Sequence, residues 1–162
     1  MPLYWFQLDL SEPSATITHR VQSLVGPEPK LSTKELFFGR GRRPEDPLFV
    51  GSVQQLSFSI QRYIVGRNSF LPMIRGRLTP IATGTRVTVR MFIHPASAVF
   101  MAFWLVFSGR AALVGHSPVA GLMFFVGIAM TTGFFFPEAI KGKRLLVAAL
   151  NPSAAPHISA TL

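Results

Sequence analysis

Apolar residues dominate the second half of the chain, where the polar alternation of the first half stops. From residue 91 to residue 137 the only Asp, Glu, Lys or Arg is Arg110. A helix that crosses a bilayer needs about 20 mostly apolar residues. The stretch contains two segments of that kind, 95–114 and 118–136, and each begins with proline, which suits the first position of a helix. The pattern predicts a transmembrane helical hairpin that turns at residues 115–117.

The first half shows the period of two that is typical of half-buried strands. Apolar and polar residues alternate over residues 3–10, 56–64, 70–78 and 87–93. Four such runs predict a small antiparallel β-meander with one buried face.

One short segment has the spacing of an amphipathic helix instead. Ile17, Val21 and Leu24 recur at helical intervals before Gly26-Pro27. Ser11 is the predicted N-cap, with Pro13 in the first turn.

Together these elements predict an α+β fold in three parts. Residues 1–94 form a cytoplasmic α+β domain, residues 95–136 the transmembrane hairpin, and residues 137–162 a short basic tail that begins where Pro137 ends the second helix. Residues 39–47, GRGRRPEDP, predict a mobile basic loop because turn-forming and charged residues exclude a packed core there.

The charge distribution predicts how the hairpin is oriented. Sixteen Lys and Arg oppose seven Asp and Glu, a net charge of +9. Twelve of the cations precede the hairpin, three follow it, and Arg110 lies near the end of the first span. Positive residues near membrane spans stay on the cytoplasmic side, so both termini are predicted there. Orientation thus accounts for the basic excess without a nucleic-acid partner.

Four arginines of the last two predicted strands share one parity and should project from the exposed face of the sheet. They are Arg75, Arg77, Arg86 and Arg90. A contact with anionic lipid is expected because each cation near a membrane surface contributes about 1 kcal/mol. A solvated sheet face is an equally weighted alternative.

A polar triplet, Arg67-Asn68-Ser69, is a second candidate site. It could bind a phosphate or carboxylate through the arginine fork. Turns prefer the same residues, and the turn is the favoured interpretation.

Small residues form a stripe on each predicted span. Such stripes let membrane helices approach closely, so they should face each other or a partner. The stripes are Ala98, Ala102 and Gly109 on the first span, and Ala120, Gly127 and Thr131 on the second.

No residue pattern predicts catalysis, a cofactor or a metal site. His94 and His116 flank opposite ends of the first span and cannot share a metal. Glu138 has Lys141 within helical reach, which favours a structural ion pair. The absence of cysteine excludes disulfides and thiolate zinc sites.

One longer pattern resembles a family. Phe58-x-Ile60-x-Arg62, then RNSF-x-P-x-I-x-G over residues 67–76, then Gly84-Thr85 and the strand into the first span, are similar to a group of uncharacterised bacterial inner-membrane proteins. These pair a small β-rich cytoplasmic domain with two transmembrane helices. The resemblance covers about residues 48–140. It implies a bacterial inner-membrane location and no activity.

Three functions follow as hypotheses. The first is a membrane accessory or scaffold protein whose β-rich domain docks on a protein partner or on anionic lipid, with a hairpin that anchors it or joins a membrane-protein partner or a homo-oligomer. The second is an enzyme acting on a lipid-linked or headgroup substrate, which requires Arg67, His94 and Glu138 to converge. The third, a membrane-tethered nucleic-acid binder, needs aromatics among the arginines, and Phe92 alone has the required parity on the last strand.

Overall fold

The computed structural model describes residues 3–27, 46–64 and 68–151, which form one six-stranded sheet and three helices. The strands lie in the order β1-β6-β5-β4-β3-β2, and only the β2–β3 pair is parallel. The strands are β1 (Tyr4–Leu10), β2 (Val25–Gly26), β3 (Phe49–Gln54), β4 (Ser57–Arg62), β5 (Met73–Ile81) and β6 (Gly84–Phe92). The helices are α1 (Ser14–Leu24), α2 (Pro95–Val114) and α3 (Pro118–Leu150).

The predicted α+β class is confirmed, with differences in detail. Strands β2 and β3 were not predicted, since Gly51 and Ser52 interrupt the apolar alternation of β3 and β2 has only two residues. The predicted cap of α1 is wrong: Pro13 occupies the N-cap position without a side-chain hydrogen bond, and Ser11 lies two residues before it.

The core lies between one face of the sheet and two helices. Along β6 and most of β5 every second residue faces the core and is buried. Ile17 and Val21 of α1 are fully buried on the helix side. Because strand side chains alternate between faces, the opposite parity is left exposed. The arginines of β5 and β6 lie on that exposed face.

Helix α3 supplies the other half of the cover, which corrects the prediction that it ends at Phe136. The helix continues through Pro137 for 33 residues in all, about 50 Å. A proline inside a helix costs about 3 kcal/mol. Each large apolar side chain that is fully buried contributes about 1.5–3 kcal/mol, and α3 buries several such side chains on one stripe. That stripe is Phe135, Ala139, Gly142, Leu146 and Leu150.

Residues 137–150 of the predicted 137–162 tail are therefore a core helix, and residues 152–162 lie outside the described residues. A Cβ on Gly142 would lie 3.2 Å from Cδ1 of Ile74, so the helix backbone runs close to the sheet. Lys143 donates to the Tyr4 hydroxyl at 3.1 Å. Arg20 of α1 donates to the carbonyl of Leu150 at 2.7 Å and so satisfies one acceptor at the end of α3.

Helices α2 and α3 pack side by side as a hairpin that turns at the predicted residues. His94 caps α2 and Ser117 caps α3, each accepting a hydrogen bond from a backbone N–H. Both helices are long and apolar enough to span a membrane, and only 11% of the most apolar window of each is buried. The core helix of a soluble protein would be mostly buried, whereas these two helices expose apolar side chains along those windows.

Candidate functional site

The four predicted arginines all lie exposed on the outer face of the sheet. Arg75 stands directly opposite Arg90 on the neighbouring strand, and Arg77 stands opposite Thr88. Directly opposed like charges repel, since the Cβ atoms of such pairs are only about 5 Å apart. An anion placed between Arg75 and Arg90 would relieve that repulsion.

Arg86 differs from the other three because it has a counter-ion. Its Nε and Nη2 atoms donate to the two carboxylate oxygens of Asp9 at 2.7 and 2.8 Å. The hydrogen bond and charge of Arg86 hold the pKa of Asp9 below its usual value. Among the described residues no acid pairs with the other three arginines. We call Arg75, Arg77 and Arg90 the arginine face.

The arginine face borders a shallow depression of about 550 Å³. Other polar side chains line it, and aromatic rings lie at its edge: Arg75 Cζ is 5.5 Å from the centre of the Phe92 ring. Trp5 is 63% exposed and stands opposite Arg90. Sequence reasoning missed Trp5, although its parity within β1 matches that of Gln7 and Asp9 and so places it on the outer face.

Contacts at the end of the sheet nearest the hairpin hold the two parts together. Glu138 of α3 accepts from Arg62 of β4, and both side chains are mostly buried, with 14% and 17% exposed. Lys141 contacts the other oxygen of Glu138 at 3.3 Å. The Phe70 ring stacks on Phe134 at a centroid distance of 6.0 Å. These contacts assign Glu138 a structural role in joining the two parts.

Two of the three residues required by the headgroup-enzyme hypothesis, His94 and Glu138, have other partners. Nδ1 of His94 accepts from the Ala96 N–H at 3.3 Å, and the carboxylate of Glu138 is held by Arg62 and Lys141. Arg67 lies outside the described residues.

The rest of the polar triplet forms a local turn. The side-chain oxygen of Asn68 accepts from the N–H of Phe70 at 3.0 Å, which is the Asx-turn arrangement. The carbonyl of Ser69 accepts from the hydroxyl of Ser97 in the first turn of α2 at 2.7 Å. Asn68 therefore shapes the turn, and Ser69 connects it to the hairpin.

The predicted small-residue stripes divide between two environments. Gly127 is buried where a Cβ would lie 2.9 Å from the Trp104 ring, and Gly109 faces the Phe124 ring. Ala120 is partly buried near the start of α3. Ala98 and Ala102 are exposed. The hydroxyl of Thr131 donates back to the carbonyl of Gly127 at 2.9 Å.

Two grooves lie along the hairpin, one on each side. The first, about 610 Å³, is lined by Ala98, Met101, Ala102, Ile128, Thr131 and Thr132. Arg75 and Phe92 close its sheet end, so this groove meets the depression beside the arginine face. The second, about 520 Å³, includes Phe70, Ser97, Phe100, Trp104, Val126 and Met130 and has no charged residue in its lining. We call these the charged-end groove and the uncharged groove.

Two remaining predictions concern metal binding and the basic loop 39–47. Within the described residues, no three His, Asp or Glu side chains are grouped as a metal would require. Residues 39–45 of the loop lie outside the described residues.

Comparison with known proteins leaves the family unidentified. No family model matches the chain, and neither a curated protein nor a solved structure is significantly similar to it. The function has to be inferred from the arginine face, the hairpin and the way they are joined.

Proposed function

We propose that this protein is a non-enzymatic accessory or scaffold protein of the bacterial inner membrane. Its hairpin spans the bilayer, and its sheet domain lies on the cytoplasmic side with the arginine face against anionic headgroups. The distribution of positive charge supports this orientation, as does the resemblance to bacterial inner-membrane proteins over residues 48–140.

One observation carries the proposal: α3 runs without interruption from its apolar, exposed half into the core of the sheet domain. The second connection is equally short, because β6 ends at Phe92 and α2 begins at Pro95. With two tight connections and the Arg62–Glu138 pair between them, the sheet has a defined orientation relative to the hairpin.

That orientation brings the arginine face close to the membrane surface. The end of β6 that carries Arg90 and Phe92 is the end that leads into α2. Exposed cations within a Debye length of an anionic surface, about 8–10 Å, are attracted to it. Trp5 adds a side chain of the kind enriched at membrane–water interfaces.

The fluorescence of Trp5 tests this arrangement. The protein has two tryptophans, so Trp104→Phe leaves Trp5 as the only one. After reconstitution into vesicles with brominated acyl chains, we expect stronger quenching of Trp5 with phosphatidylglycerol than with phosphatidylcholine alone. Replacing Arg75, Arg77 and Arg90 together by Gln should remove the difference between the two lipids.

Arg86→Gln is the matched control because Arg86 is already neutralised by Asp9. It should preserve the lipid dependence. Equal quenching in both lipids for the otherwise unaltered protein would contradict the proposal. So would a loss of lipid dependence in Arg86→Gln as large as that of the triple variant.

A further inference from the structure

We propose that the charged-end groove binds one anionic phospholipid, with an acyl chain between α2 and α3 and the phosphate beside Arg75. This inference rests on the proposed membrane orientation and adds a specific site to it. It concerns a single retained lipid, whereas the proposed function concerns the general attraction of the arginine face to the surface.

The floor of the groove suits a hydrocarbon chain. Ala98 and Ala102 are small and exposed, and Ile128 forms part of the opposite wall. The hydroxyls of Thr131 and Thr132 donate to carbonyls of their own helix, so they present methyl groups without an unsatisfied donor. From Ala98 to Leu105 the groove follows α2 for about 10 Å, enough for the upper part of an acyl chain.

The charge at one end selects the occupant. Arg75 lines both the groove and the depression on the outer face, and none of the described acids pairs with it. Arg90 stands directly opposite, so a phosphate here would lie between two guanidinium groups and offset their repulsion. An apolar transmembrane helix of a partner could fill the groove, but its apolar side chains would leave Arg75 and Arg90 without a counter-ion.

The uncharged groove provides the contrast. It has a similar volume, about 520 Å³ against 610 Å³, and it also lies along the hairpin. It has no cation in its lining, so nothing would hold a headgroup there. Lipid in that groove should exchange freely with the bilayer.

Lipid retention measured by native mass spectrometry tests the site. The full-length protein is purified in mild detergent and titrated with palmitoyl-oleoyl phosphatidylglycerol, with phosphatidylcholine of the same chains as the uncharged comparison. We expect one tightly bound phosphatidylglycerol per chain. Arg75→Gln should weaken its binding about tenfold, as the loss of a charge-assisted hydrogen bond implies.

Filling the groove should have the same effect without altering charge. Ala102→Phe places a ring on the exposed floor, and Ala98→Phe does so one turn earlier. Ala96→Phe is the matched control because Ala96 is exposed and lines the uncharged groove. Arg86→Gln is the control for charge. Both controls should retain the lipid.

Each other result would overturn the site. Equal retention in Ala102→Phe, Ala98→Phe and the unaltered protein would show that the groove does not hold the chain. Equal binding of phosphatidylglycerol and phosphatidylcholine would show that Arg75 does not select an anionic headgroup. A dimer that Ala102→Phe disrupts would show that a second copy occupies the groove. If Trp5 quenching still depends on phosphatidylglycerol in any of these cases, the proposed function stands while the lipid site fails.

Discussion

Leu146 offers the most direct test of how the hairpin and the sheet domain are joined. Its side chain is fully buried in the stripe that α3 presses against the sheet, beyond the point where the sequence predicts the helix to end. Leu146→Ala removes three carbon atoms from that contact. The helix is held at both ends, by the hairpin and by the hydrogen bond from Arg20 to Leu150, so the site can collapse only partly.

Partial collapse sets the size of the effect. Buried Leu→Ala substitutions cost about 3–5 kcal/mol when a cavity remains, and we expect about 3 kcal/mol here. At 1.4 kcal/mol for each factor of ten, amides that exchange through opening of the domain should exchange roughly a hundredfold faster. The amides of Val87 and Val89 in β6 report it, because β6 is a central strand with both neighbours paired.

Hydrogen exchange read by mass spectrometry in lipid nanodiscs provides the measurement. Leu113→Ala is the matched control, since Leu113 is 80% exposed on α2. It should leave the exchange of β6 unchanged. An acceleration of less than about threefold in Leu146→Ala would refute the packing of α3 into the domain core, because truncating a buried leucine lowers the free energy of unfolding by more than that acceleration implies.

Three further substitutions test the contacts around the site. Arg62→Met should lower the free energy of unfolding by about 1–3 kcal/mol because it leaves the mostly buried carboxylate of Glu138 without its main partner; adding Glu138→Leu should recover much of the loss in thermal unfolding. Arg86→Gln removes the hydrogen bond and charge that lower the pKa of Asp9, so an NMR titration should show that pKa raised towards its ordinary value. In the unaltered protein the ion pair is present above the lowered pKa and is lost as the pH falls through it. Gly76→Ala should cost about 1–3 kcal/mol in thermal unfolding, because its Cβ would lie 2.0 Å from the aromatic ring beneath it.

Each of these has a result that would count against it. A double variant no more stable than Arg62→Met would show that Glu138 is not stranded by the single change. An unchanged Asp9 pKa would mean that the pair does not persist in solution. Gly133→Ala is the control for Gly76→Ala: no atom lies within 4 Å of its Cβ position, and alanine is favoured in helices, so it should not destabilise. Equal effects at the two glycines would contradict the close packing at Gly76.

The candidate site was only partly predictable. Parity alone placed four arginines on one face, since strand side chains alternate regardless of the partner strand. It could not separate Arg86 from the others, because the β1–β6 pairing that brings Asp9 beside it joins residues 77 positions apart. Trp5 was missed for the same reason: its place opposite Arg90 depends on that pairing.

The sequence by itself determined the elements whose signals are local. Alternation defined most strands, and capping residues followed by proline defined the starts of α2 and α3 and the turn between them. The tertiary structure decided the continuation of α3 through Pro137, which contradicts the local signal. It is favoured because the residues beyond the proline bury a stripe on the sheet. The tertiary structure also decided the place of Arg75 at the end of the charged-end groove, because the groove is formed by the sheet and the hairpin together.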